Sequence, residues 1–222
     1  MSRIGLGQTR RWKNMPPAIL LVLTWLGAYL VGAIPFGYLV ARSRGVDIFK
    51  TGSGNLGATN VGRVLGKKLG ILVFLLDAAK GALPVAAALS LRAEMPQDFA
   101  PGWLEVGSGL AAFLGHLYPV FFGFEGGKGV ATSLGVILGL SPWVALAALA
   151  TWLFMALVVR ISSLSALTAA VLAPVYGWWF GLPRVYQGAL WFVVVLLIWR
   201  HRSNIHNLLA SAEDKIGADD GP

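Results

Sequence analysis

Residues 17–41 read PAILLVLTWLGAYLVGAIPFGYLVA, a run without a charged side chain. About 20 apolar residues carry an α-helix across the hydrocarbon core of a bilayer, and this run is longer. Residues 1–16 are polar and basic, with Arg3, Arg10, Arg11 and Lys13. A basic leader before an apolar run is the pattern of a signal peptide, but the apolar part is too long, so the stretch reads as an uncleaved first transmembrane helix.

The rest of the chain has the same character. Of 222 residues, 56% are hydrophobic and 13% charged, and the mean hydropathy is +0.69, too apolar for an ordinary soluble domain. Further apolar segments are predicted at 69–91, 103–122, 130–140, 143–159, 164–180 and 185–199, that at 130–140 being short. The fold class is therefore an all-α integral membrane protein, a seven-transmembrane-helix bundle forming one domain over residues 17–215. Short amphipathic or irregular segments join the helices, 92–102 is a polar loop, and 216–222 is expected to be disordered.

Composition also excludes chemistry. With no cysteine there is no disulfide, thiolate metal site or cysteine acyl-enzyme, and three histidines without HExxH spacing do not make a metal site. No metal and no cofactor is expected. The formal charge of +8 fits anionic membrane lipids and topology better than nucleic acid, so no nucleic-acid partner is expected.

Seven crossings with the N-terminus outside put Arg42, Arg44, Lys50, Arg63, Lys67, Lys68, Lys128, Arg160, Arg200, Arg202 and Lys215 on the inner side. The outer side keeps Arg92, Arg184 and the four basic residues of the tail, so the positive-inside rule favours this orientation against the tail. Trp103, Trp143, Trp178 and Trp179 then fall at outer helix ends, where interfacial aromatics belong. Three polar stretches share the cytoplasmic face.

The first, residues 51–68, is TGSGNLGATNVGRVLGKK. Its glycines let backbone N–H groups converge, Ser53, Asn55, Thr59 and Asn60 add short polar partners, and Arg63, Lys67 and Lys68 add positive charge, a composition that asks for a phosphate. Gly52 to Gly57 also fit G-x-G-x-x-G, but an apolar helix rather than a strand precedes them, so no dinucleotide fold follows. The second stretch, residues 123–132, is GFEGGKGVAT. Gly126, Gly127, Lys128 and Gly129 open a helix and read either as an anion site, by dipole and geometry, or as a tight turn at the membrane surface, while Phe122 and Gly129 stand where a Walker motif needs Gly and Ser/Thr. The third is RHRSNI at 200–205 with Glu213 beyond; as a helix it sets His201 and Asn204 on one face. Asp77 and Lys80 read as an inward-turned structural ion pair, and His116 as a hydrogen-bonded structural histidine.

The combination of GSGNLGATNVGR, GHLYPVFFGFEGGKGVAT and HRSNIHNLLASAE resembles the bacterial acyl-phosphate:glycerol-3-phosphate acyltransferases over nearly the whole chain. The resemblance implies a seven-helix inner-membrane enzyme that moves a fatty acyl group from acyl phosphate to the 1-hydroxyl of glycerol 3-phosphate, giving lysophosphatidic acid and inorganic phosphate. It implies a glycerol 3-phosphate site of Ser53, Asn55, Arg63, Lys128, His201 and Asn204 closed by Glu213, with Ser53, Lys128, His201 and Asn204 as catalytic residues. Gly126, Gly127 and Gly129 would hold the phosphate of the acyl donor. Implied partners are the two substrates, membrane lipids and, as a metabolic neighbour only, the acyl-phosphate synthase; the bundle is expected to be complete as a monomer. Glu125, Asn207 and Ser211 depart from the family pattern, where basic residues and a glycine are usual. Glu125 is expected to weaken the donor site and Asn207 to touch surface charge only.

An acyl phosphate is already activated, so no acyl-enzyme is needed; the site has to align the hydroxyl, neutralise two phosphates and stabilise the oxyanion. The proton acceptor is either His201 or the substrate's own phosphate. No histidine here is followed by Asp at the fifth position, which counts against a site of the His-x4-Asp acyl-CoA type. The competing class is a transporter for a phosphorylated metabolite, which would show two similar halves and a site at mid-membrane.

Overall fold

The computed structural model describes residues 15–93 and 102–217. Most of the basic tail, of the 92–102 loop and of the expected disordered end lies outside the described residues. Among the described residues there are ten α-helices and no strand: α1 Pro17–Gly32, α2 Phe36–Arg42, α3 Ala58–Leu65, α4 Lys67–Arg92, α5 Trp103–Leu117, α6 Val130–Leu140, α7 Pro142–Val158, α8 Ser162–Trp179, α9 Arg184–Arg200 and α10 Arg202–Leu209. Eight of them stand where the seven apolar segments are predicted, α1 and α2 sharing the first. Among the described residues two stretches are long and apolar enough to cross a membrane, Pro17–Arg42 with its break and Lys67–Arg92. α6 has 11 residues, which at 1.5 Å per residue reaches only about 16 Å.

The structure corrects the expected helices at four points. The first is broken at residues 33–35, because Pro35 has no N–H to donate and disfavours helical geometry at the residue before it. Within the break the carbonyl of Ile34 accepts hydrogen bonds from Lys80 Nζ at 2.7 Å and from the N–H of Phe36 at 3.2 Å. The glycine-rich stretch, expected as a loop, turns helical at α3, where Val61 buries one face in a cluster with Ala41, Ile48, Leu56 and Val73. α5 stops at Leu117, ahead of Pro119, and a 3-10 turn occupies Val120–Phe122. The last helix is jointed at His201, so His201 caps α9 and Asn204 lies on α10.

Without water to drive apolar faces together, helices in lipid associate by close van der Waals approach at small residues. α1 and α5 meet at Gly32 and Gly115: a Cβ on Gly32 would lie 2.0 Å from the Ala112 carbonyl oxygen, and one on Gly115 2.2 Å from that of Tyr29. α4 and α6 meet in the same way through Gly81 and Gly135, with clearances of 2.2 Å to the Thr132 oxygen and 1.9 Å to the Ala78 oxygen. Val85, Phe113, Leu117, Val136, Val193 and Leu197 fill the centre. Leu75, Leu83, Phe154, Leu157 and Val195 point outward and are each more than half exposed, a surface suited to hydrocarbon.

The Asp77–Lys80 pair sits inside the bundle. Lys80 Nζ is 2.8 Å from Asp77 Oδ1, and both side chains are almost fully buried. His116 Nδ1 stands 3.7 Å from the same carboxylate oxygen.

Candidate active site

The first polar stretch is shaped by Asn60. Its Oδ1 accepts the N–H of Ser53 at 2.9 Å, and its Nδ2 donates to the carbonyls of Thr51 at 3.1 Å and Asn55 at 2.9 Å. Asn55 Oδ1 in turn accepts the N–H of Gly57 at 2.8 Å, at the start of α3. Gly52 and Gly54 lie at φ +57° and +67°, and a Cβ on Gly52 would come 2.3 Å from Asn60 Oδ1. Asn60, expected as a phosphate partner, has its amide committed to the loop, which presents Ser53, Asn55 and Arg63 to the space beside it.

That space is a cavity of about 240 Å³, and it collects residues from all three stretches. Ser53, Asn55, Arg63, Lys128, Gly129, His201, Asn204 and Glu213 line its polar end. Asn204 is the junction. Its Oδ1 accepts from Lys128 Nζ, and its Nδ2 donates to Glu213 Oε1 at 2.6 Å; Ser163 Oγ donates to the same oxygen at 2.7 Å. Arg63 Nη1 lies 2.9 Å from Asp214 Oδ2. Asp77 and His116 reach the inner wall.

His201 is 2% exposed, and its Nδ1 lies 2.8 Å from the Leu197 carbonyl oxygen. A carbonyl only accepts, so Nδ1 carries the proton and Nε2 keeps a lone pair. Burial pushes the pKa of His201 down to about 4, outweighing the Leu197 hydrogen bond that raises it. The imidazole is neutral at physiological pH. Burial also holds the Lys128 ammonium below its ordinary value, against the opposing pull of Glu213.

The glycine loop is gripped from two sides. Arg200 Nη2 donates to Gly126 O at 2.6 Å and Nε to Gly127 O at 3.2 Å, with its guanidinium over the Tyr118 ring at 5.5 Å. The N–H of Gly127 donates to the His116 carbonyl at 3.2 Å, and a Cβ on Gly126 would stand 2.2 Å from that same oxygen. Gly126 and Gly127 therefore back the cavity without lining it, and the Gly127 N–H is not available to an anion. Gly129, at φ +89°, begins α6 and does line the cavity. Arg200 is the residue that sequence reasoning passed over: its signal, an arginine next to His201 at a helix end, is also that of a membrane-surface anchor.

The three departures from the family pattern rank differently in space. Glu125 is exposed and outside the cavity wall, whereas Asn207 lines the mouth. Of the two, Asn207 on α10 is the one that stands beside the site. Ser211 adopts φ +56°, left-handed backbone that suits the glycine it replaces.

Beyond the polar end the cavity runs between α6, α7, α8 and α9. Leu134, Ile137, Leu149, Trp152, Leu190 and Val193 wall it. The floor is a stripe of small residues on one face of α8, Ala166, Ala169, Ala170 and Ala173 at helical spacing, which leaves room where larger side chains would fill it. One end thus offers cations and amides, the other a chute for a hydrocarbon chain.

A family model described as glycerol-3-phosphate acyltransferase matches residues 22–211. The chain is 52% identical over 193 residues to the glycerol-3-phosphate acyltransferase of Thioalkalivibrio sulfidiphilus, covering 86% of this chain and 92% of that one. It is 46% identical over 192 residues to the Aquifex aeolicus protein of the same name, covering 85% and 95%. The fold is similar to crystal structures of PlsY, an integral membrane glycerol 3-phosphate acyltransferase, at 43% identity over 89% of this chain and 96% of that chain. The TM-score is 0.83 for the glycerol 3-phosphate form and 0.81 for the lysophosphatidic acid form.

Proposed function

The chain belongs to the glycerol-3-phosphate acyltransferase family, and from that premise we propose that its acyl donor is an acyl phosphate and its product lysophosphatidic acid. The observation that carries this reading is the single cavity with a cationic end and an apolar chute, because both substrates bring phosphate and one also brings a hydrocarbon chain.

The 1-hydroxyl oxygen of glycerol 3-phosphate attacks the acyl carbonyl carbon; an ester C–O bond forms, the mixed-anhydride C–O bond breaks, and inorganic phosphate leaves with the electron pair. Arg63 binds the phosphate of the acceptor with its planar fork, and Ser53 and Asn55 supply hydrogen bonds beside it. Lys128, aimed by Asn204, neutralises charge on the donor's phosphate and on the developing oxyanion, and Gly129 starts the helix whose dipole adds to that field. Glu213 holds Asn204 in turn. A histidine with a pKa of about 4 is a weak base near neutrality, and the inorganic phosphate that departs from the mixed anhydride is a stronger one. The leaving phosphate accordingly takes the hydroxyl proton, and His201 Nε2 accepts a hydrogen bond from the acceptor and orients it. No cofactor enters these steps.

The seven-crossing topology, with motifs and C-terminus at the cytoplasmic face of the inner membrane, belongs to the same proposal and is supported by the distribution of basic loops. Because the chain has no cysteine, single introduced cysteines report each loop's side by labelling with an impermeant reagent. The central test is turnover by purified protein of acyl phosphate and glycerol 3-phosphate, read as release of inorganic phosphate. Acyl-CoA of matched chain length is expected to fail, since a neutral thioester leaves Lys128 without its partner. Efficient turnover with acyl-CoA would overturn the donor assignment.

A further inference from the structure

Residues 211–217 follow α10 as a strap whose Glu213 and Asp214 line the cavity. Glu213 ties it to Ser163 and Asn204, and three residues on, the N–H of Ile216 donates to the Arg160 carbonyl at 2.6 Å while Arg160 Nη2 donates to the Ile216 carbonyl at 3.1 Å. Between these ties stands Asp214, with its carboxylate 2.9 Å from Arg63 Nη1. Both residues line the cavity, Arg63 with a side chain 26% exposed and Asp214 with one 63% exposed.

Resting on the glycerol 3-phosphate reading above, we propose that Asp214 is a place-holder for the acceptor's phosphate: its carboxylate engages Arg63 in the empty site and yields the guanidinium when phosphate arrives. Arg63 and Lys128 stand in one small polar space, where Glu213 Oε1 is held by Ser163 and Asn204 while the carboxylate in contact with Arg63 is that of Asp214. Asp214 supplies the missing counter-charge through a single, largely solvent-exposed contact. A phosphate brings more charge and three acceptor oxygens that match the planar fork, so it displaces such a carboxylate, whereas the neutral hydroxyls of free glycerol do not. The ties on both sides of Asp214 hold the strap while its side chain swings away. Asp214 thus positions Arg63 and screens for a phosphorylated acceptor without touching it.

The inference predicts an unusual sign. Asp214→Asn keeps the shape and removes the competing charge, so the KM for glycerol 3-phosphate and the inhibition constant of inorganic phosphate are both expected to fall roughly two- to fivefold at low salt. The change falls on KM rather than kcat, shrinks as salt is added, and disappears in Asp214→Glu, which restores the carboxylate. An unchanged or raised KM for Asp214→Asn, in a preparation whose wild type turns over glycerol 3-phosphate, would overturn the place-holder role alone. Wild-type protein with no turnover dependent on glycerol 3-phosphate would overturn the substrate reading beneath it and this inference with it.

Discussion

His201→Gln tests the assignment of a neutral, buried imidazole. The pKa of this group falls from about 6.5 in the unfolded chain to about 4 in the fold. The unfolded state therefore binds the extra proton between these values. The sign follows: the contribution of His201 to stability is fully present above pH 6.5 and is lost progressively as pH falls toward 4. At pH 5 the wild type has lost about 2 kcal/mol through this residue alone. Glutamine does not titrate, but it forfeits the Nδ1–H bond to the Leu197 carbonyl, a loss of about 1 kcal/mol at every pH. The two curves of stability against pH should therefore cross. The wild type leads at pH 7.5 and trails by about 1 kcal/mol at pH 5, or roughly 2–4 °C in Tm for a chain of this size. Thermal unfolding of both proteins in the same detergent, from pH 4.5 to 8, measures the crossing. In activity, the same argument gives a wild-type profile without an inflection at pH 6–7 due to His201, and a variant impaired mainly in KM. Parallel stability curves would refute the buried neutral state. A titration at pH 6–7 that the variant abolishes, with turnover down about 10²- to 10⁴-fold, would make His201 the base instead.

Arg63→Ala removes a charge-assisted bond to phosphate and leaves Asp214 free to repel it, so the KM for glycerol 3-phosphate should rise roughly 10- to 100-fold, measured at saturating donor. Arg200→Lys cannot serve the carbonyls of Gly126 and Gly127 together; the KM for acyl phosphate should rise about 3- to 10-fold while that for glycerol 3-phosphate stays near wild type, as steady-state kinetics with each substrate varied would tell. Ser211→Gly relieves a left-handed serine and should stabilise the protein by about 1 kcal/mol, seen as a higher Tm. Gly135→Ala drives a methyl against the Ala78 carbonyl, 1.9 Å from the ideal Cβ position; a loss of about 1–3 kcal/mol should appear in the same thermal assay.

How much of this could be read from the chain depends on whether a signal is local. The helices were legible because apolar runs of membrane length leave little else to form, and Gly129 and Pro142 mark helix starts by their own backbone chemistry. The residues at the polar end of the cavity, Ser53, Asn55, Arg63, Lys128, His201, Asn204 and Glu213, were legible as three motifs. The break at 33–35 was not, since Pro35 sits in a run whose hydrophobicity outweighs one ring in any pattern. Asn60 could not be sorted either: an amide that shapes a loop and an amide that binds a ligand have the same side chain. Asp214 and Arg200 act through partners far away in sequence, Arg63 for one and the glycine loop for the other, and no spacing rule reports such pairs.

The carbonyl of Ile34, in the break beside Pro35, bears on how the protein is made. Synthesis delivers α1 and the break well before α4, so this oxygen is first served only by the N–H of Phe36, at 3.2 Å, its second donor still untranslated. When α4 follows, Lys80 does not travel as a naked charge, because Asp77, one turn earlier on the same helix, accompanies it at 2.8 Å. The helix inserts as an internally compensated pair, which lowers the barrier that an isolated ammonium would meet in hydrocarbon. Only on docking against the break does Lys80 gain the Ile34 oxygen, in surroundings without water to compete for either group. The break between α1 and α2 thus offers α4 a polar contact that the apolar surfaces around it lack.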